Sequence, residues 1–274
     1  IITFEGGFHG RTLATVTATA QPKYHEGFEP LPGGFVYCPF NDEAAVSAAV
    51  SERTCAIMVE PVQGEGGIKP ANPGFLAHLR RLCDENDALL IVDEIQSGMG
   101  RTGKMYAHEW ADGVAPDIMT LAKALGGGLP IGAMLAGEKT AGVLQLGSHG
   151  STFGGNPVAC AVARVVLRRM GAPGFAARVE AVSKRIVARL EAFGESRQLF
   201  SEVRSAGLMI GAELREPFRG KAGEVVKVAA EHGALVLNAG PDVVRLLPPL
   251  TINDDEIDAG MDRLEAALTK VTTA

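Results

Sequence analysis

At 274 residues, with 46% apolar and 5% aromatic residues and 34 glycines, the chain can bury one large core or two smaller ones of an Ala/Gly/Val-rich α/β type. A formal charge of −6 leaves no basic footprint for nucleic acid, and no apolar run approaches the roughly 18 residues of a membrane span. Cys38, Cys55, Cys83 and Cys160 form no C-x-x-C pair and read as buried, reduced thiols of a cytosolic protein, while the histidines show no i, i+4 pair for a metal.

Residues 1–5 read as a strand, with Gly6-Gly7 as the turn into Phe8-His9-Gly10-Arg11-Thr12. The small and β-branched stretch 12–20 is undecided by propensity. Residues 21–41, rich in Pro and Gly, read as an irregular surface loop, and 42–51 as a short helix. Cys55-Ala56-Ile57-Met58-Val59-Glu60 is a buried strand stopped by Pro61 and a loop over 63–67. A helix is predicted over 73–86, with Phe75, Leu79, Leu82 and Cys83 on one face. Leu89-Leu90-Ile91-Val92 is the next strand, so strand, helix and strand predict a parallel sheet with a right-handed crossover.

A second apolar segment spans 117–122, and 131–136 reads as a strand able to run the other way. A long helix over 155–169 starts near Asn156-Pro157 and ends at Gly171-Ala172-Pro173-Gly174, which divides the chain into 1–171 and 172–274. Val179, Val182, Ile186, Leu190 and Phe193 then recur at helical steps. A strand over 209–214, a helix over 221–232 and short strands around Val236 and Val244 follow. The closing helix begins at Asn253 with Glu256 as its capping-box partner, and Ile257, Met261, Leu264 and Leu268 form its buried face.

The chemistry concentrates between Leu89 and Lys123. One apolar run ends in Asp93-Glu94, and the other delivers Lys123 in front of Gly126-Gly127-Gly128. Ligands of parallel sheets sit beyond the carboxyl ends of the strands, so a carboxylate and a lysine are expected on one rim. A buried acid facing a lysine is what pyridoxal phosphate needs: the lysine holds the aldehyde as a Schiff base, and the acid keeps the ring nitrogen protonated. Read locally, Lys123 could equally be a snorkelling surface lysine and Asp93 a strand-end acid. Gly98 to Lys104 imitates a P-loop, but Met105 stands where a Mg²⁺-binding hydroxyl is required.

Val92-Asp93-Glu94-Ile95-Gln96-Ser97-Gly98, Leu121-Ala122-Lys123-Ala124-Leu125-Gly126-Gly127-Gly128, Phe8-His9-Gly10-Arg11-Thr12 and Val244-Arg245-Leu246-Leu247-Pro248-Pro249-Leu250 together resemble the class III aminotransferases. The resemblance runs over nearly the whole chain. It implies an α/β, fold-type I transferase dependent on pyridoxal 5'-phosphate. Such a protein has a mainly parallel central sheet with helices on both faces and a smaller C-terminal α/β domain. Lys123 and Asp93 would be catalytic, and Phe8, Glu94, Ile95, Gln96 and Thr152 would join them around the cofactor. Phe8 and Ile95 would flank the ring, and Gln96 would reach its hydroxyl.

Arg11 and Arg245 would clamp substrate carboxylates, and Glu60 would pair with Arg245 and release it for a dicarboxylate. Ser151 would lie near substrate, on a segment crossing a homodimer interface where Thr152 reaches the partner's cofactor phosphate. The plain structural readings are core packing for Phe8 and Ile95, a salt bridge for Glu60 and Arg245, and a polar turn for Ser151-Thr152. The implied reaction is cytoplasmic, in arginine biosynthesis: the δ-amine of N-acetylornithine passes to 2-oxoglutarate, giving glutamate. Succinylornithine, ornithine or 4-aminobutyrate are alternative donors, and an inactive truncated form is another reading. Family members carry a segment ahead of the position matching Ile1, with a Gly-Thr/Ser loop for the cofactor phosphate, so the sequence is expected to be a part.

Overall fold

The apolar runs pair into two main sheets in the computed structural model, which describes residues 1–273. In chain order the first elements are β1 (Ile2–Phe4), α1 (Leu13–Ala18), β2 (Val36–Cys38), α2 (Glu43–Ala49) and β3 (Ala56–Val59). A hairpin of β4 (Val62–Gln63) and β5 (Lys69–Pro70), then α3 (Pro73–Glu85), β6 (Leu89–Asp93), β7 (Ile118–Leu121), β8 (Ala133–Ala136) and α4 (Glu138–Ala141) follow. The remainder comprises α5 (Pro157–Met170), α6 (Phe175–Arg197), β9 (Phe200–Ala206), β10 (Met209–Leu214), α7 (Ala222–Glu231), β11 (Leu237–Asn238), β12 (Val243–Leu246) and α8 (Asp254–Thr273).

The first sheet has the order β2-β1-β3-β6-β7-β8 and is parallel except for β8, which runs antiparallel to β7 as 131–136 allowed. Its apolar strands are covered by α3, whose Phe75, Leu76, Leu79 and Cys83 are buried in one cluster with Phe4, Ile57 and Leu90. Each such Phe or Leu contributes about 1.5–3 kcal/mol on burial. Leu76 joins this buried face, whereas Leu82, expected on it, does not. At 100° per residue, positions 76, 79 and 83 line up, and 82 falls at the stripe's edge, where it is only half-buried.

The expected loop over 21–41 contains β2, paired in parallel through Ile2↔Val36, Thr3↔Tyr37 and Phe4↔Cys38. Three residues at a sheet edge, with Val36 and Tyr37 exposed, carry no period to read. Likewise the loop over 63–67 is the turn of the β4–β5 hairpin. Cys38 and Cys83 are buried, but Cys55 is exposed because it precedes β3 on a surface turn; all four thiols are free.

The second sheet is antiparallel in the order β11-β12-β10-β9. Strand β9 escaped sequence reading because Ser201, Glu202, Arg204 and Ser205 interrupt its apolar pattern. Val179, Val182, Ile186 and Leu190 of α6 pack with Ile257, Met261, Leu264 and Leu268 of α8 in one core. The cap at α8 is reciprocal: Asn253 Oδ1 accepts from the Glu256 amide at 2.9 Å, and Glu256 Oε2 accepts from the Asn253 amide at 2.9 Å. The β4–β5 hairpin joins the second sheet through Val62, Ile68 and Met209, all buried together. Among the described residues no helix is long and apolar enough to cross a membrane.

Candidate active site

Strands β6 and β7 are parallel neighbours, so their carboxyl ends share one rim. Asp93 closes β6, and Lys123 opens a short 3₁₀ turn just after β7. The register sets Thr120 directly beside Asp93 on the same face. Accordingly Thr120 Oγ1 donates to Asp93 Oδ1 at 3.2 Å, and the Ile95 amide donates to the same oxygen at 3.1 Å. The other oxygen, Oδ2, lies 2.8 Å from His9 Nδ1. Asp93 and His9 are both buried. Burial alone disfavours a charged imidazole at His9. The Asp93 hydrogen bond and the nearby charges of Glu60 and Asp93 outweigh it and raise the His9 pKa.

Lys123 has φ +45°, in the left-handed region, where a non-glycine residue stores about 1–3 kcal/mol. Such strain clusters at functional sites. Desolvation pulls the pKa of its amine below the ordinary lysine value; Glu65, Glu60 and Asp93 oppose this, and Arg245 reinforces it. The amine is thereby brought closer to the neutral form a base requires. Lys123 and Gln96 share a cleft of about 490 Å³ with Gly127, Gly128, Leu247 and Pro249, so both sheets contribute walls. A β-carbon on Gly64 would sit 2.3 Å from Gln96 Oε1, so the amide lies directly on that backbone.

Ile95 is half-buried beside Asp93. Phe8, also half-buried, stands edge-on to Tyr24 with ring centroids 5.3 Å apart, and the exposed Arg11 guanidinium covers Tyr24 at 4.5 Å. Glu94 does not join this group. Its Oε1 accepts from the His108 amide at 2.8 Å and lies 2.9 Å from His108 Nδ1, while Oε2 accepts from Ser97 at 2.7 Å. Alternation along the strand turns Glu94 from the face that Asp93 uses. Ser151 and Thr152 lie in an exposed turn, where Ser151 Oγ accepts from the Gly154 amide at 2.8 Å, and neither lines the Lys123 cleft.

The partner of Arg245 is Glu65, at 2.8 Å from Nη1, and not Glu60 as expected. Arg245 Nη1 also donates to the Gly64 carbonyl at 3.2 Å. Glu60 is committed elsewhere: Oε2 accepts from the Phe8 amide at 2.8 Å, and Oε1 from the Gly64 amide at 3.4 Å. It ends a buried strand, whereas Glu65 rides the hairpin turn toward β12.

Burial pushes the Glu60 carboxyl up to about 7; Asp93 adds to this, and His9 and the two amides oppose it. Between pH 4.5 and about 7 the unfolded chain loses a proton that the folded protein keeps, so stability falls as pH rises. The fall from this group is on the order of 3 kcal/mol and levels off above pH 7. Glu60→Gln is expected to flatten that slope. Denaturant unfolding at pH 5 and pH 7.5 checks it, and an unchanged slope in the variant contradicts the assignment.

His9, Thr120 and Glu65 were missed as site residues. His9 follows Phe8 in the Phe8-His9-Gly10-Arg11-Thr12 motif, Thr120 is in register with Asp93, and Glu65 sits among glycines, so only Thr120 needed pairing information. Among the described residues there is no group of three His, Cys, Asp or Glu side chains able to hold a metal ion. The buried acid and the lowered lysine amine fit the pyridine nitrogen and the aldehyde of pyridoxal phosphate.

The class-III aminotransferase family model matches residues 1–268. The acetylornithine aminotransferase of Xanthomonas axonopodis pv. citri is 58% identical over 268 residues, covering 97% of this chain and 65% of that protein. The crystal structure of N-acetylornithine aminotransferase from Stenotrophomonas maltophilia superposes with a TM-score of 0.85 at 47% identity, covering 99% of this chain and 66% of the other. An ornithine aminotransferase from Toxoplasma gondii, described with partial occupancy of PLP at its active site, superposes with a TM-score of 0.92 at 33% identity, covering 99% and 64%. The chain thus spans about 65% of the length of the relatives it matches.

Proposed function

The chain belongs to the class-III aminotransferases, and from that premise we propose that it moves the δ-amine of N-acetylornithine to 2-oxoglutarate with pyridoxal 5'-phosphate. The observation that supports this reading is that Asp93 and the Arg245–Glu65 pair lie close enough to Lys123 for their charges to act on its amine. Pyridoxal phosphate, when bound, supplies an aldehyde for amine exchange and a ring that takes up electrons. Asp93, fixed by His9, Thr120 and the Ile95 amide, would hold a proton at the ring nitrogen. Lys123 would take the proton from the amine-bearing substrate carbon and return it on the far side of the exchange. Arg11 would hold the carboxylate of the acylated donor through its planar fork.

Arg245 would take the second carboxylate of 2-oxoglutarate or glutamate once Glu65 turns away, and stay paired with Glu65 when the donor is bound. Arg245→Met is expected to raise KM for 2-oxoglutarate about 10²-fold, equivalent to about 3 kcal/mol of lost charged hydrogen bonding. The donor half-reaction at saturation should change only a few-fold. Half-reaction kinetics check this, and equal losses in both would contradict it.

We place the division of the chain near Gly171, with residues 1–171 holding the cofactor site and 172–274 supplying Arg245. The expected homodimer is supported by Val143, Leu146, Phe153 and Val158, which expose apolar side chains on both sides of Ser151-Thr152. In that assembly Ser151 and Thr152 would serve the partner's site. The assignment to arginine biosynthesis follows the relatives named acetylornithine aminotransferase, and a cytoplasmic location is part of the same proposal. Purified protein given 2-oxoglutarate should turn over N-acetylornithine with a higher kcat/KM than succinylornithine, ornithine or 4-aminobutyrate. A higher value for any of these would replace the donor.

A further inference from the structure

The turn that carries Glu65 is held by a second arginine from the C-terminal sheet. Register places Arg204 of β9 and Arg245 of β12 on either side of Gly211 in β10, so the three residues form one row across the sheet. Arg204 Nε donates to the carbonyls of Gly67 and Ile68 at 2.9 and 3.0 Å. Its Nη1 is fixed in turn by Glu202 at 2.7 Å and Glu213 at 2.6 Å. Arg245 takes the other side of the same turn through Gly64 and Glu65.

Between the two arginines the row has no side chain. A β-carbon on Gly211 would lie 3.0 Å from Ile68 Cβ, so Ile68 fills the space that glycine leaves. Ile68 is fully buried and has φ +52°, a conformation that a β-branched residue does not hold without outside support. The hairpin is therefore pinned at residues 67–68 by Arg204 and Ile68, and at 64–65 it is held by Arg245. Beside it opens a cleft of about 530 Å³ whose lining includes Glu65, Lys23, Lys69 and Arg219, which offers the Glu65 carboxylate cations other than Arg245.

We propose that Arg204 is a positioning residue that keeps Glu65 within reach of Arg245, and so sets how the site divides its affinity between a dicarboxylate acceptor and a donor lacking the second carboxylate. The inference rests on the reading of Arg245 as the clamp for that carboxylate. With Arg204 in place, releasing Arg245 needs only a side-chain turn of Glu65. Without it, the hairpin carries Glu65 away, and Arg245 stands unpaired. A dicarboxylate then binds without displacing Glu65, while the donor leaves a buried guanidinium uncompensated.

The test measures kcat/KM separately for the 2-oxoglutarate and N-acetylornithine half-reactions of the holoenzyme, in wild type, Arg204→Met, Arg204→Lys, Glu65→Gln and the Arg204→Met/Glu65→Gln double variant. Arg204→Met is expected to shift the ratio about tenfold toward the dicarboxylate. Glu65→Gln should shift it the same way, and the double variant no further, because both changes remove one interaction. Arg204→Lys keeps the ion pairs with Glu202 and Glu213 but loses the forked contact with the hairpin, so it shifts the ratio even where Arg204→Met does not fold. Equal losses in both half-reactions, or full additivity in the double variant, would overturn the inference. An unshifted ratio in Glu65→Gln would instead overturn the reading of Arg245, and the inference with it.

Discussion

Replacing Lys123 with alanine is expected to lower transamination by about 10²–10⁴-fold from the lost proton transfer alone. The lost covalent attachment of the cofactor lowers it further. The amine is suited to that task because desolvation, with the opposing charges of Glu65, Glu60 and Asp93 only partly offsetting it, holds its pKa below the ordinary lysine value. The fold should tolerate the change. Lys123 stands at the open mouth of the cleft and makes none of the hydrogen bonds that hold β6 to β7. Steady-state kcat with matched melting temperatures checks the expectation, and activity within tenfold of wild type would contradict it.

Asp93 carries the second large effect, and two variants separate its roles. Asp93→Ala removes the acceptor for His9, Thr120 and the Ile95 amide together, leaving a buried imidazole without its partner. Breaking a buried charged pair in this way is worth about 3–5 kcal/mol of stability. Asp93→Asn preserves the shape and an oxygen acceptor while deleting the charge, so it should fold. It should lose about 10²–10³-fold in turnover, the rate equivalent of 3–4 kcal/mol. In that variant the raised His9 pKa should also move down, because the Asp93 interaction that offsets burial is weakened. Nuclear magnetic resonance titration of His9 reads this directly, and an unmoved His9 would remove Asp93 from the network.

The strands that end at Asp93 and just ahead of Lys123 were legible because buried parallel strands write themselves as short, unbroken apolar runs. The cap of α8 was legible for a different reason: both of its hydrogen bonds are made within four residues, and no tertiary contact is needed. What stayed hidden was non-local. β2 is too short and too exposed at its edge to show a period, and β9 reads polar because it presents Arg204 and Glu202 to neighbours.

Glu60 was expected to meet Arg245 from the resemblance, since both are acids or bases near strand ends. Sequence spacing does not say that the chain folds back within five residues into a hairpin and brings Glu65 to the arginine instead. Glu94 shows the limit of motif transfer at a single position. It neighbours Asp93, yet alternation sends it to His108 and Ser97.

In the proposed reaction the amine of Lys123 is the one that joins the cofactor. Borohydride reduction of the protein with pyridoxal 5'-phosphate, followed by peptide mass mapping, tests it most directly. A pyridoxyl mass increment confined to Lys123, and absent from Lys123→Ala, is the predicted result. An increment on Lys104 or any other lysine in place of Lys123 would contradict the account.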